Sequence, residues 1–421
     1  MQEIGKLVLG IDLCDDITQV TIMRPHAAEP DAVCFDARAR KEFLPTVLYV
    51  GRDGTWSVGE PVGKEDIVIA NFFHKAVLGE EVSCNDAIYA GQALLELYIG
   101  LLLQKIKEHF PEYDMVFLAV TCEEANTNEE VRRLLGEVLA EQEAFCSRCL
   151  VLSHLEAFLH FAVRQEEGLW KNGSAAFDYA AEGLLFYHTE CRSAGGRRLL
   201  LADYKDYSEI IPAGFTKSDE TERVALTFER LAGMALQKNA ASLFVTGREF
   251  EGDWVSDVLR LLSSGRRVFR GENLYTQGAC YAAAEEFRGE KNADFALLMP
   301  GQITCDVYLM AENAEQEEEV LLARVGDHYR QVQAEIEVLM DTTDKFSFKI
   351  VPAGGGKSFM IRVAPRDLEL RPDRTSRYAV RVSFVKRDCM AIQIKDVGFG
   401  EFYPSGHRIY EELVELSQLE G

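Results

Sequence analysis

A duplicated α/β unit followed by an all-β sandwich is the fold class this sequence predicts. Three observations carry it. Two distant segments, Val8 to Met23 and Ala175 to Tyr187, each read as an apolar strand, an Asp, a short turn and a second apolar strand. After each, strand-length apolar runs alternate with amphipathic helical stretches, as in sheets joined by crossover helices. Beyond Lys291 the helical period stops, and segments such as YRQVQAEIEVLM, SFMIRVA and YAVRVSFV alternate polar and apolar residues. That alternation is the mark of sandwich strands.

Taken in order, strands are predicted at Leu7–Ile11, Thr18–Met23, Val33–Phe35 and Thr46–Val50, with Trp56–Val58 closing a hairpin after the turn Arg52-Asp53-Gly54. A long amphipathic helix follows over Asp86–His109, stopped by Pro111. Met115–Val120 reads as a buried strand, and Thr127 as the cap of a helix through Leu139, with Glu130 in capping-box position. Cys149–Leu152 is a short strand leading into a helix from Ser153 to Arg164. The pattern then restarts: strands at 175–178, 184–188 and Leu199–Tyr204, a helix over Asp219–Asn239, and a strand at Ser242–Thr246. Helices over Trp254–Leu262 and Leu274–Glu286 complete the second half. From Thr304 to Ile394 the chain is strand-like, and a short acidic helix is expected at Ile409–Leu419. The domains expected are therefore 1–291, in lobes of about 1–165 and 166–291, then a sandwich at 292–406 and a terminal helix at 407–421.

Composition narrows the function classes. The 421 residues are 47% hydrophobic and 10% aromatic, ample for more than one core. A formal net charge of −24 argues against nucleic acid and against anionic membrane, since either would need a basic face. The longest apolar stretch, Ala93 to Leu103, is broken by Glu96 and too short to span a bilayer. Ten cysteines without framework spacing, and Met1 to Gly5 leading directly into a strand, point to reduced thiols in the cytoplasm. The lone Cys146-x-x-Cys149 reads as structural or surface thiols, with redox or metal chemistry as the alternative.

The order of motifs resembles the heat-shock protein 70 chaperones, in which a nucleotide-binding domain of the actin-like (ribonuclease H-like) ATPase superfamily precedes a peptide-holding β-sandwich. LVLGIDLCDDITQVTIM is similar to the family's first phosphate hairpin, and FLPTVLYVGRDGTWSVGEPV to its Pro-Ser-x-Val strand and turn. NFFHKAVLG resembles the segment of the catalytic lysine, which puts Lys75 in that place. VLSHLEAFLHFA resembles the connecting segment, and FDYAAEG stands where Phe-Asp-x-Gly-Gly-Gly-Thr would be. LFVTGREFEGDWV resembles the adenosine loop, with Gly247 and Arg248, and GACYAAA the Tyr-Gly-Ala-Ala helix.

The departures set the functional expectation. Cys14, Asp15 and Asp16 replace the threonines and glycine that would wrap the phosphates, and His154 stands for the water-orienting glutamate. The second loop has Ala180, Ala181, Glu182 and Gly183 in place of its glycine triplet and threonine. Methyl groups hinder close backbone approach where glycine permits it, and carboxylates aimed at a polyphosphate cost free energy without a cation between them. Only Asp12, Lys75, Asp178 and Gly247 match the family. The resemblance thus implies a heat-shock-70-like protein with a degenerate ATPase site, a pseudo-ATPase that binds protein or extended peptide through the sandwich as an adaptor or regulator. No cofactor is expected. The alternative is a divergent active chaperone ATPase using ATP and Mg²⁺ with Asp12, Lys75 and Asp178.

Asp12, Asp15, Asp16, Asp178 and Glu182 converging would make a hard-cation site, Asp12 and Asp178 being its core; solvated turn carboxylates are the plainer reading. Ala353 to Ser358, AGGGKS, lacks the first glycine of a P-loop and lies between strands, so it reads as a hairpin turn. GENLYTQG reads as native helix-start sequence. GFGEFYPSG reads as a packed interdomain loop or a partner contact, and no helical lid follows the sandwich.

Overall fold

The structure is a computed structural model that describes residues 5–35, 41–61, 63, 66–84, 87–180, 183–194, 197–214, 221–236, 240–251, 254–271, 273–289, 295–299, 301–313, 316–340, 345–353, 357–365, 371 and 375–416. It is a mixed α/β protein whose chain divides into two compact units, residues 1–190 with 202–291, and 191–201 with 292–421.

In the first unit, β1 (Gly5–Leu13), β2 (Ile17–Met23), β3 (Asp31–Ala32) and β4 (Phe43–Pro45) open the chain. β5 (Leu48–Val50), β6 (Trp56–Val58) and β7 (Ile67–Ile69) form a small separate sheet. Then come α1 (Phe72–Val77), the β8–β9 hairpin (Glu81–Cys84, Ala87–Ala90), α2 (Gly91–His109), β10 (Tyr113–Cys122), α3 (Glu129–Ala140), β11 (Cys149–Ser153), α4 (His154–Val163) and α5 (Glu167–Trp170). The second half has β12 (Ser174–Ala180), β13 (Gly183–Ala194), β14 (Arg197–Asp206), α6 (Thr221–Ala235), β15 (Ser242–Thr246), α7 (Ser256–Leu262), β16 (Arg267–Arg270) and α8 (Leu274–Arg288).

The same strand order occurs twice. The first main sheet runs β11-β10-β1-β2-β3 and the second β16-β15-β12-β13-β14. In each, the opening strand pairs antiparallel with its hairpin partner on one side and parallel with a later strand on the other. Strands flanked on both sides and covered by helices are buried on both faces, so β1 and β12 are nearly continuous apolar runs. Each carries one buried Asp at its carboxyl end.

Helix boundaries follow local chemistry. Asn128, not Thr127, caps α3, its side chain accepting the Glu130 N–H at 3.0 Å. Ser153 and Glu156 form a reciprocal capping box that fixes the start of α4. The expected helix from Asp86 starts later, at Gly91, because Ala87–Ala90 is spent on the β8–β9 hairpin. The strand expected at Val33–Phe35 is displaced to Asp31–Ala32.

The second unit is all-β. β17 (Phe295–Leu298) pairs in parallel with Arg198–Leu201 of β14. One four-stranded sheet contains β18 (Cys305–Asn313), β19 (Gln316–Ala323), β21 (Phe346–Pro352) and β22 (Phe359–Val363); the other contains β20 (Gln333–Met340), β23 (Ser376–Lys386), β24 (Cys389–Asp396) and β25 (Ile409–Glu415). A shared core takes Val307, Phe348 and Ile350 from the first and Val380, Val382 and Ile392 from the second. The terminal helix expected within 407–421 is instead β25, antiparallel to β24. Its glutamates favour a helix, but Val414 and Leu416 alternate into the core and the free edge of β24 supplies ladder partners. Residues 417–421 and the Gly354–Gly356 stretch lie outside the described residues; the strands flanking the latter, β21 and β22, pair as a hairpin.

Buried Asp396 anchors the loop after β24. It accepts Arg371 at 2.6 Å and the N–H groups of Gly398 and Gly406 at 2.9 and 2.6 Å. Above this anchor Phe402 is 92% exposed. No helix among the described residues is long and apolar enough to cross a membrane.

Candidate functional site

The two buried aspartates lie at equivalent points of the repeated sheets. Asp12 pairs with Thr121 across the parallel β1–β10 ladder, and Asp178 with Thr246 across β12–β15. Between them sits His154, the first residue of α4, only 2% exposed. Its Nε2 is 2.7 Å from Asp12 Oδ1 and its Nδ1 is 3.9 Å from Asp178 Oδ2. The ring stacks on Tyr275, centroids 3.8 Å apart and planes 8° apart. The Tyr275 hydroxyl donates to Asp178 Oδ2 at 2.9 Å. Phenol, imidazole and two carboxylates are therefore locked in one network at the floor of a cavity of about 290 Å³.

Electrostatics sort these groups. Burial opposes a charge on His154, yet Asp12, by its charge and its hydrogen bond, and then Asp178 carry the imidazole up to about 9. Burial pushes the Asp178 carboxyl up, against the lowering influence of His154 and the Tyr275 hydrogen bond. Burial, then Asp178, raises the Tyr275 phenol, so it stays a donor. Burial and the charges of Asp12, Glu124 and Asp16 keep the Cys14 thiol protonated, which removes it as a nucleophile.

The cavity wall is acidic. Asp12, Asp15, Asp16, Glu123, Glu124 and Asp178 line it, with Arg248 and His154 as its cationic groups among the described residues. Asp15 Oδ1 accepts the His74 N–H at 3.1 Å, and Asp16 forms an ion pair with Arg248. Ala180 also lines it, and Gly183 pairs with Ala180 to open β13; Ala181 and Glu182 lie outside the described residues. Gly247, at φ +97°, passes so near β12 that a β-carbon would meet the Tyr179 carbonyl oxygen at 2.3 Å, so only glycine fits.

Lys75 is not part of this wall. It lies on α1, 40% exposed, and pairs with Glu80. Of the matched positions, Asp12, Asp178 and Gly247 come together and Lys75 does not. Tyr275, Glu123 and Glu124 escaped the sequence reading. The glutamates follow a buried strand parallel to the Asp12 strand, and the carboxyl end of such a strand is where sites gather. Tyr275 left no signal beyond standing at the start of a helix.

Two sets of side chains could hold a metal ion. Asp12, Cys14 and His154 each offer a ligand atom within 4.8 Å of the others, as do Glu123, His154 and Asp178. Elsewhere, Cys146 is buried and Cys149 half-buried.

Residues 29–299, more than half of the chain, match the model of a family of unknown function (DUF5716), C-terminal. Residues 302–416 match a domain of unknown function (DUF8552). No curated protein matches the chain.

Proposed function

The chain belongs to the family of unknown function DUF5716, through that family's C-terminal region, and from its own residues and strand order, not from that membership, we propose that it is a heat-shock-70-like, chaperone-related protein with a degenerate ATPase site. It acts by binding protein or extended peptide, as an adaptor or regulator. The repeated strand order, with an Asp at the end of each opening strand, supports a duplicated actin-like fold. The two four-stranded sheets around one core support a β-sandwich beyond it.

One observation carries the loss of activity: the His154 ring fills the space between Asp12 and Asp178. Phosphoryl transfer needs a positioned water and neutralised phosphate charge. Here the water-orienting carboxylate is an imidazole already tied to Asp12, and six carboxylates face the place of the phosphates. Lys75, the one lysine the resemblance offers for charge neutralisation, is engaged with Glu80.

Thermal unfolding with ATP or ADP, with and without Mg²⁺, tests this reading. At nucleotide concentrations below the dissociation constant the stabilisation stays under about 0.4 kcal/mol, so the melting temperature is expected not to move. A rise of several degrees with Mg-ATP, together with multiple-turnover phosphate release, would establish the divergent active ATPase instead.

A further inference from the structure

The geometry points to a divalent-metal site of the imidazole–carboxylate class in this cavity, held by His154 Nδ1, Asp178 and Glu123, with Asp12 orienting the ring. The inference stands on these side chains alone and does not require the chaperone reading.

The unused atom is His154 Nδ1. It is buried without a hydrogen-bond partner, although its residue lines a cavity shared with six carboxylates. Buried polar atoms are nearly always satisfied, and an orphan facing a cavity is where a ligand belongs. The rest of the ring is held as metal-binding histidines are held. Nε2 points to a carboxylate, Asp12, at 2.7 Å, and the face lies against Tyr275. A carboxylate on the far nitrogen fixes the tautomer and makes the near nitrogen a better donor.

The partners are in reach. Asp178 Oδ2 lies 3.9 Å from Nδ1, and a Glu123 oxygen lies within 4.8 Å of a His154 ring nitrogen and an Asp178 oxygen. Ligand bonds of about 2.0–2.2 Å require these atoms to draw in by about an ångström. Glu123 is only half-buried at the end of β10 and can supply that movement. The Tyr275 hydroxyl donates to that same Asp178 Oδ2 and fixes its position. The remaining coordination positions face the cavity and stay open to water or a small anion.

The donor set selects the ion. One imidazole with two carboxylates suits Zn²⁺, Mn²⁺, Fe²⁺ or Co²⁺, whereas Mg²⁺ and Ca²⁺ prefer oxygen alone. The ion displaces the proton that His154 carries in the metal-free protein. The Asp12–Cys14–His154 set is the weaker one, because its nitrogen is already engaged with Asp12.

The test is calorimetric titration of the metal-free full chain with Co²⁺, Zn²⁺ and Mg²⁺, in a Cys146→Ser/Cys149→Ser background that removes thiol binding elsewhere. One equivalent of Co²⁺ or Zn²⁺ is expected, with Mg²⁺ far weaker. His154→Ala should abolish binding, and Asp12→Asn should weaken it about 10–100-fold. Glu123→Gln, at a half-buried loop position that leaves the core intact, should weaken it at least tenfold. The cobalt form should show visible d–d bands without a thiolate-to-cobalt band. Three results would overturn the site: no heat at millimolar Co²⁺ or Zn²⁺, affinity unchanged in Glu123→Gln and His154→Ala, or a thiolate band. None of them bears on thermal unfolding with nucleotide, which tests the chaperone reading separately.

Discussion

A β-carbon placed on Gly278 would lie 1.9 Å from the carbonyl oxygen of Ala157, so α8 and α4 cross with backbone against backbone. This crossing brings the amino ends of both helices, with His154 and Tyr275, to the same floor. Gly278→Ala is expected to cost about 3 kcal/mol, the top of the usual range for overpacking, because a carbonyl cannot rotate aside. Gly136→Ala, at an open position of α3, should instead gain about 0.5–1 kcal/mol. Urea denaturation of the two variants checks the pair; equal effects would mean that the helices are not in contact.

The His154 ring should stay charged well above neutrality in the metal-free protein. Its folded value of about 9 lies above the ordinary histidine range. The stabilisation this gives is therefore fully present below the ordinary value and is lost as pH rises through about 9. Ring-proton NMR titration reads the midpoint directly. Asp12→Asn removes the charge that overcomes burial and should drop it below neutrality.

Asp396 works in the opposite direction. Burial would raise its carboxyl, but the Arg371 hydrogen bond and the N–H groups of Gly406 and Gly398 hold it below the ordinary carboxylate range. Its stabilisation is thus present above the ordinary value of about 3.9 and lost as pH falls through the folded one. Asp396→Asn removes the carboxylate charge that faces Arg371 and should cost about 3 kcal/mol at neutral pH. The variant's stability should also fall less steeply in acid, as followed by denaturation between neutral and strongly acidic buffers.

Lys75→Ala is expected to leave the melting temperature and metal affinity unchanged, since the side chain pairs with Glu80 outside the cavity. A loss of metal binding in this variant, measured by titration, would return Lys75 to the site.

The two Asp-bearing strands were legible because a doubly buried strand must be apolar, and a single Asp at its end stands out. Gly247 was marked by the resemblance of its segment to the adenosine loop, and the structure adds that its turn admits no side chain. The acidic segment from Ile409 misled because helix propensity is local, whereas the open edge of β24 that captures it is visible only in three dimensions. Tyr275 stayed hidden in the same way: its stacking on His154 exists only after residues 121 positions apart in the chain have met. The direction of the Lys75 side chain was not legible, because a motif fixes order along the chain and not where a flexible side chain points.

The tip of the β13–β14 hairpin, residues 191–201, groups with the second unit, where Arg198–Leu201 flanks β17. The polypeptide therefore enters that unit twice, and no single cut liberates it whole. A fragment beginning at 292 would leave one side of β17 without its ladder, an open strand edge inviting self-association. Limited proteolysis that nicks only the 291 region should yield two pieces that remain together until denatured.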